Sequence, residues 1–172
     1  NPETRKVIFE KHYGTVYNFT ECNEKVRDLA HKYEEETPIP LKAGAKELLS
    51  YLHENEYKIG LASSGKRETI ERRMKGHGIW QYFDVVISGE MVKISKPDPQ
   101  IFLLCAEKLG VPSTGAIVLE DSPNGITAAH AAGMRPVMVP DLYMPEENIA
   151  AIAYAVYGSL LEVKAAFENG KL

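Results

Sequence analysis

From residue 42 onward the chain alternates short apolar runs with amphipathic stretches, and this rhythm limits its fold more than any other feature. The runs cover 57–62, 84–88, 116–119 and 136–139, with a weaker one at 155–157. None shows the polar–apolar alternation of a strand with one wet face. Helical patterns separate them at 43–55, 66–75, 97–109, 126–132 and 159–167, with Ser159 as a cap and Gly110, Gly133 and Gly170 as stops. Short, uniformly apolar strands separated by helices imply a parallel sheet covered on both faces. The expected fold class is therefore α/β, a Rossmann-like three-layer core.

Residues 1–36 follow a different pattern. They are strongly charged and helical, with Val26, Leu29, Ala30 and Tyr33 at three- and four-residue steps. Thr37-Pro38-Ile39-Pro40-Leu41 then stops the helix, because two prolines force extended backbone. Two domains are expected, a helical segment over 1–36 and the α/β core over 37–172.

At 172 residues and 44% hydrophobic content, the core can be sizeable. A net charge of -4 with no basic run argues against nucleic-acid partners. No apolar stretch approaches a membrane span or a signal peptide, so the cytoplasm is the expected compartment. Cys22 and Cys105 have neither zinc nor redox spacing, and two cysteines do not make a disulfide framework.

Open parallel sheets hold ligands at the carboxyl ends of their strands. The first run ends in Ser63-Ser64-Gly65. The second leads to Ser95-Lys96-Pro97, and the third ends in Glu120-Asp121-Ser122-Pro123-Asn124-Gly125. In a parallel sheet these ends converge, bringing together hydroxyls, an ammonium and two carboxylates. Carboxylate oxygens suit Mg²⁺, and the helix start at Pro123 suits phosphate. The set fits phosphoryl transfer, in which positioning and charge neutralisation dominate. Taken singly, each residue has an ordinary reading: a solvated lysine, a serine cap, a surface turn. Their shared edge is what points to a site.

These residues resemble the motifs of the haloacid dehalogenase superfamily, in its phosphatase and β-phosphoglucomutase-like branch. Leu61-Ala62-Ser63-Ser64 is similar to the second motif, Lys96-Pro97-Asp98-Pro99 to the third, and Glu120 to Gly125 to the fourth. Ala131-Ala132-Gly133-Met134 and the following strand resemble the stretch after it. The resemblance covers about 37–165, and it makes 1–36 look like the later part of a helical cap. It implies that Ser63 and Ser64 bind a phosphoryl group and that Lys96 stabilises that group and the nucleophile. Asp121 is the implied Mg²⁺ ligand, with Glu120 beside it or acting through water. Asn124 and Ser122 support the loop, and Arg67 receives no role.

The resemblance also implies a first motif, an Asp-x-Asp pair after a strand, which supplies the nucleophile and the general acid/base. No such pair follows a strand here. Lys6 to Thr15 has a superficially similar outline, but Glu10-Lys11-His12-Tyr13 carries neither aspartate and the periodicity is helical. Asp98 opens a helix, and Asp141 has no partner acid. In the family that strand lies between the strands ending at Ser63 and Glu120. Its absence leaves a gap of roughly 9 to 10 Å with unpaired backbone on both sides. The resemblance therefore implies roughly 40 further residues upstream of Asn1, comprising the first strand, the nucleophile and the start of the cap. An intact mass of 19.2 kDa for a folded monomer would count against it.

The expected activity is an Mg²⁺-dependent phosphatase for a small phosphorylated metabolite, a sugar phosphate or a nucleotide. A sugar phosphomutase shares every motif present. A non-catalytic domain that binds Mg²⁺ and phosphate is the alternative of another class. A receiver domain fits poorly, since Lys96 precedes Glu120-Asp121. Tyr13, Tyr17 and Phe19 fit either a substrate cleft or packing, with packing the commoner cause of such spacing. Substrate identity and oligomeric state stay open.

Overall fold

The computed structural model describes residues 2–14, 16–37, 39–141 and 144–172, with backbone alone for Pro2, Glu3, Thr4, His31, Glu34, Glu35 and Glu36. The readings that used Pro38 and Thr15 lie outside the described residues. Backbone contacts divide the chain into two units, Asn1–Leu41 and Lys42–Leu172.

The first unit is a pair of helices, α1 (Pro2–Tyr13) and α2 (Phe19–Glu36). The segment 6–13 is helical throughout, as its periodicity predicts. Asn18 caps α2, its Oδ1 accepting from the Glu21 N–H at 3.2 Å. Phe9 joins the helices, with its ring 4.9 Å from Tyr13 and 5.5 Å from Phe19. Tyr13 in turn meets Tyr17 at 6.2 Å, so the aromatic cluster packs on itself.

The second unit runs α3 (Ala45–Glu54), β1 (Gly60–Ser63), α4 (Arg67–Gly76), β2 (Val85–Ser88), α5 (Gln100–Leu109) and β3 (Ile117–Glu120). It continues with α6 (Pro123–Ala131), β4 (Arg135–Met138), α7 (Glu147–Ile152), β5 (Ala155–Val156) and α8 (Leu160–Glu168). Every ladder is parallel, as the uniformly apolar runs require. Ser63 lies opposite Ser88, and Glu120 opposite Met138. The strands form two sheets, β1-β2 and β3-β4-β5. β1 and β3 therefore each ladder on one side only among the described residues.

Two cores give the three layers. On one face Ile87 of β2 and Val118 of β3 pack with Ile101, Phe102 and Cys105 of α5 and Ala128 of α6, so a single cluster spans both sheets. On the other, Leu48 of α3 and Val137 of β4 pack with Val163 and Phe167 of α8. Ile126, Val137 and Val163 are fully buried, each contributing roughly 1.5–3 kcal/mol of transfer free energy. Burial also pushes the Cys105 thiol up to about 11, which suits a packing role. Both cysteines are free.

Several boundaries lie a few residues from the sequence pattern, α3 starting at Ala45 rather than 43 and α5 at Gln100 rather than 97, and some elements have a clear local cause. β1 begins at Gly60 rather than residue 57, because the side chain of Asp84 takes the place of a ladder partner. Its Oδ2 accepts from the Ile59 N–H at 2.7 Å, while its own N–H donates to Ile59 O at 2.8 Å. α6 starts at Pro123, where the sequence places the helix start, since Ser122 Oγ accepts from the Gly125 N–H at 3.0 Å and proline suits a first turn. α7 escapes the pattern because six residues are too few to display a helical period. No helix among the described residues is long and apolar enough to cross a membrane.

Candidate active site

β1 and β3 line a cleft of about 470 Å³. Its walls are apolar, with Leu61 and Ala62 from one strand and Leu119 from the other. Ser63, Ser64, Lys96, Glu120 and Asp121 all border it, so five of the sequence-derived residues meet in one place. Ser122 and Asn124 stand behind on the first turn of α6, Ser122 as its cap and Asn124 exposed.

Glu120 is the most firmly held of them. Lys96 Nζ forms an ion pair with Oε1, and both side chains are nearly buried, at 12% and 11% exposure. Oε2 accepts from the Asp121 N–H at 3.0 Å, the Ser122 N–H at 3.1 Å and Ser122 Oγ at 3.0 Å. Burial alone would raise the Glu120 carboxyl. The Lys96 charge and its hydrogen bond, with the Ser122 donors, outweigh that and hold it below the usual carboxylate range. Gly125 makes this packing possible, since a Cβ there would overlap the Glu120 carboxyl. Lys96 also lies over the Phe102 ring, 4.5 Å from its centroid, so its approach is fixed from two sides. Asp121, one residue on, is 47% exposed and turned outward.

The β1 side is held by backbone. Ser63 Oγ accepts from the Gly65 N–H at 3.2 Å, and Gly65 O accepts from the Gly89 N–H at 3.1 Å. Gly89 lets the two loops touch: a Cβ there would sit 2.5 Å from Ser64 O. Arg67 turns away from the cleft chemistry. Its Nη1 donates to Val86 O at 2.7 Å, its guanidinium lies 5.4 Å from the Trp80 ring centroid, and its N–H donates to Glu90 Oε2 at 2.9 Å. It clamps α4 onto β2.

The structure adds one residue to the rim. Lys42, just before α3, places Nζ 3.6 Å from Asp121 Oδ2 and 3.7 Å from Asp141 Oδ2. It also donates to Val139 O at 3.4 Å. Nothing in the local sequence marks it, because its partners lie far along the chain. Asp141, discounted for want of a partner acid, thus shares a cation with Asp121. Among the described residues no three His, Cys, Asp or Glu side chains cluster tightly enough to cage a metal.

The architecture and these motifs recur in known proteins. The chain is 35% identical to hexitol phosphatase B of Escherichia coli strain K12 over 145 residues, which are 84% of this chain and 65% of that protein. It is 33% identical to a phosphorylated carbohydrates phosphatase of Thermotoga maritima, over 74% of this chain and 51% of the relative. The chain thus spans between half and two thirds of these relatives. The crystal structure of a β-phosphoglucomutase from Clostridium difficile superposes with a TM-score of 0.80 at 26% identity, covering 99% of this chain and 75% of the other. The haloacid dehalogenase-like hydrolase family matches residues 3–139, most of the chain, and the protein belongs to that family.

Proposed function

We propose that the protein is an Mg²⁺-dependent phosphatase acting on a small phosphorylated metabolite of the sugar phosphate class. The observation that carries this reading is the shared rim: Ser63, Lys96 and Asp121 border one cleft at the carboxyl ends of parallel strands. The relatives named for sugar phosphates support the substrate class.

Ser63 Oγ and the backbone beside Ser64 bind the transferring phosphoryl group. Lys96 offers its ammonium to the phosphoryl oxygens, where a fixed cation in a dry setting favours the transition state. Glu120 serves by aiming Lys96, because both of its oxygens already have protein donors. Asp121 would hold the metal, with Glu120 reaching it only through water. The donor set suits Mg²⁺, which is commonly held by one or two carboxylates, substrate phosphate and waters rather than a full protein cage. An ammonium already stands beside Asp121, a stand-in for a cation there. When bound, the metal offsets negative charge on the phosphoryl oxygens. On this reading the attacking aspartate is not one of these 172 residues, and the apolar-walled cleft between β1 and β3 would suit a strand of the kind the family resemblance implies. The helices of the first unit belong to a cap that selects the substrate.

Assay of the whole protein with sugar phosphates and Mg²⁺ tests the reading. Release of inorganic phosphate, lost in Asp121→Asn, is the expected result. Conversion to an isomeric sugar phosphate without net release would instead indicate the mutase that the β-phosphoglucomutase likeness makes the second reading. Binding without either reaction would leave a non-catalytic domain.

A further inference from the structure

We infer that Lys42 is an internal counter-cation which competes with the divalent metal for Asp121 and is drawn aside by Asp141. The inference rests on the reading of Asp121 as a metal ligand and adds a residue that sets how tightly the metal binds. Lys42 Nζ lies nearly midway between two carboxylates, 3.6 Å from Asp121 Oδ2 and 3.7 Å from Asp141 Oδ2. Its third partner, Val139 O at 3.4 Å, belongs to the backbone just beyond β4, two residues before Asp141.

These groups come from the segment before α3 and from the strand-end loops after β3 and β4, so tertiary structure alone assembles them. The ammonium has room to shift between the acids, being 36% exposed on a four-carbon stem. Asp121 and Asp141 are 47% and 55% exposed, leaving both open to an incoming ion.

A metal arriving at Asp121 meets a site that already has a neighbouring positive charge. If Lys42 stays, two cations crowd one carboxylate. If it moves toward Asp141, it keeps an ion pair and its backbone acceptor. Lys96 is differently placed, since Glu120 holds it and both are nearly buried. The two lysines thus divide the work: Lys96 faces the phosphoryl group, and Lys42 tunes the metal.

Mn²⁺ binding to the whole protein without substrate, followed by the electron spin resonance of free Mn²⁺, tests this apart from catalysis. Asp121→Asn abolishes binding if the underlying reading holds; unchanged binding there overturns that reading and the inference with it. With the Asp121 dependence established, Lys42→Met tightens Mn²⁺ binding roughly fivefold, the scale of a partly exposed ion pair. Lys42→Arg keeps the original affinity, and the gain in Lys42→Met shrinks at high salt.

Asp141→Asn weakens binding roughly threefold in the original protein, again on the scale of an exposed pair, and has little effect once Lys42 is Met. Two results overturn the inference alone. One is an Mn²⁺ affinity unmoved by Lys42→Met. The other is an Asp141→Asn loss that persists undiminished beside Lys42→Met, which would make Asp141 a metal ligand in its own right.

Discussion

At the tip of β3 every carboxylate oxygen of Glu120 has a protein donor, and its partner Lys96 is nearly buried with it. At the tip of β1, Ser63 accepts a single backbone N–H and Ser64 is exposed. One end of the cleft is a charged network held rigid by burial. The other is a loop shaped by glycine and backbone bonds, with hydroxyls and N–H groups able to turn to an incoming anion. The contrast suits a site whose cation must stay in place while a substrate phosphate comes and goes. A buried ion pair is costly to break by halves, whereas a surface hydroxyl costs little to remove.

Lys96→Met should have the largest effect. If the proposed role of Lys96 holds, this removes the cation that meets the phosphoryl group, and phosphate release by the whole protein should fall roughly 1,000-fold in kcat, the scale of losing a main transition-state donor. A drop of less than tenfold would place the reaction's charge stabilisation elsewhere.

Glu120→Gln comes next and strikes the same network through stability. It leaves the Lys96 ammonium nearly buried without its counter-charge, so urea unfolding should show a loss of about 3 kcal/mol at neutral pH. The Glu120 carboxyl is held below its ordinary value in the folded protein. Its stabilisation is therefore present above the unfolded value of about 4.3 and is lost as pH falls through the folded value. The penalty of Glu120→Gln should accordingly shrink toward acid pH. A penalty that grew as pH fell would reverse the assigned direction.

Gly125→Ala tests the packing under that network. The added Cβ meets the Glu120 carboxyl, and overpacking of this kind costs about 2 kcal/mol. Beside Glu120→Ala the same change should be tolerated, because the carboxyl it meets is gone.

Ser63→Ala should have the smallest effect, and only on the ligand side. Inorganic phosphate affinity should weaken about fivefold, the scale of one hydrogen bond of about 1 kcal/mol, while unfolding stays within about 0.5 kcal/mol. Destabilisation well beyond that would mean Ser63 belongs to a structural network like that of Glu120.

Much of this was legible along the chain. The unalternated runs at 116–119 and 136–139 read as strands of a parallel sheet, and β3 and β4 pair in parallel. Ser159 could be read as a cap, and its Oγ accepts from the Glu162 N–H at 3.3 Å. The meeting of Ser63, Lys96 and Glu120 followed from strand ends sharing one edge. Less visible was anything resting on distant partners. Asp84 displacing the start of β1 and Arg67 clamping Val86 depend on side chains returning to backbone 19 to 25 residues away.

By itself the sequence determined the layers and the direction of the strands, and it pointed to phosphoryl transfer at the strand ends. Hydrophobic period and motif order are local properties, and parallel topology carries them to a common edge. Tertiary structure alone decided how the adjacent acids divide. Glu120 turns inward to Lys96 and the α6 cap, while Asp121 turns outward to Lys42, which stands 79 positions before it and meets Val139 O across a separation of 97. Two neighbouring carboxylates are chemically alike on paper. Burial and the donors each one meets give them different roles.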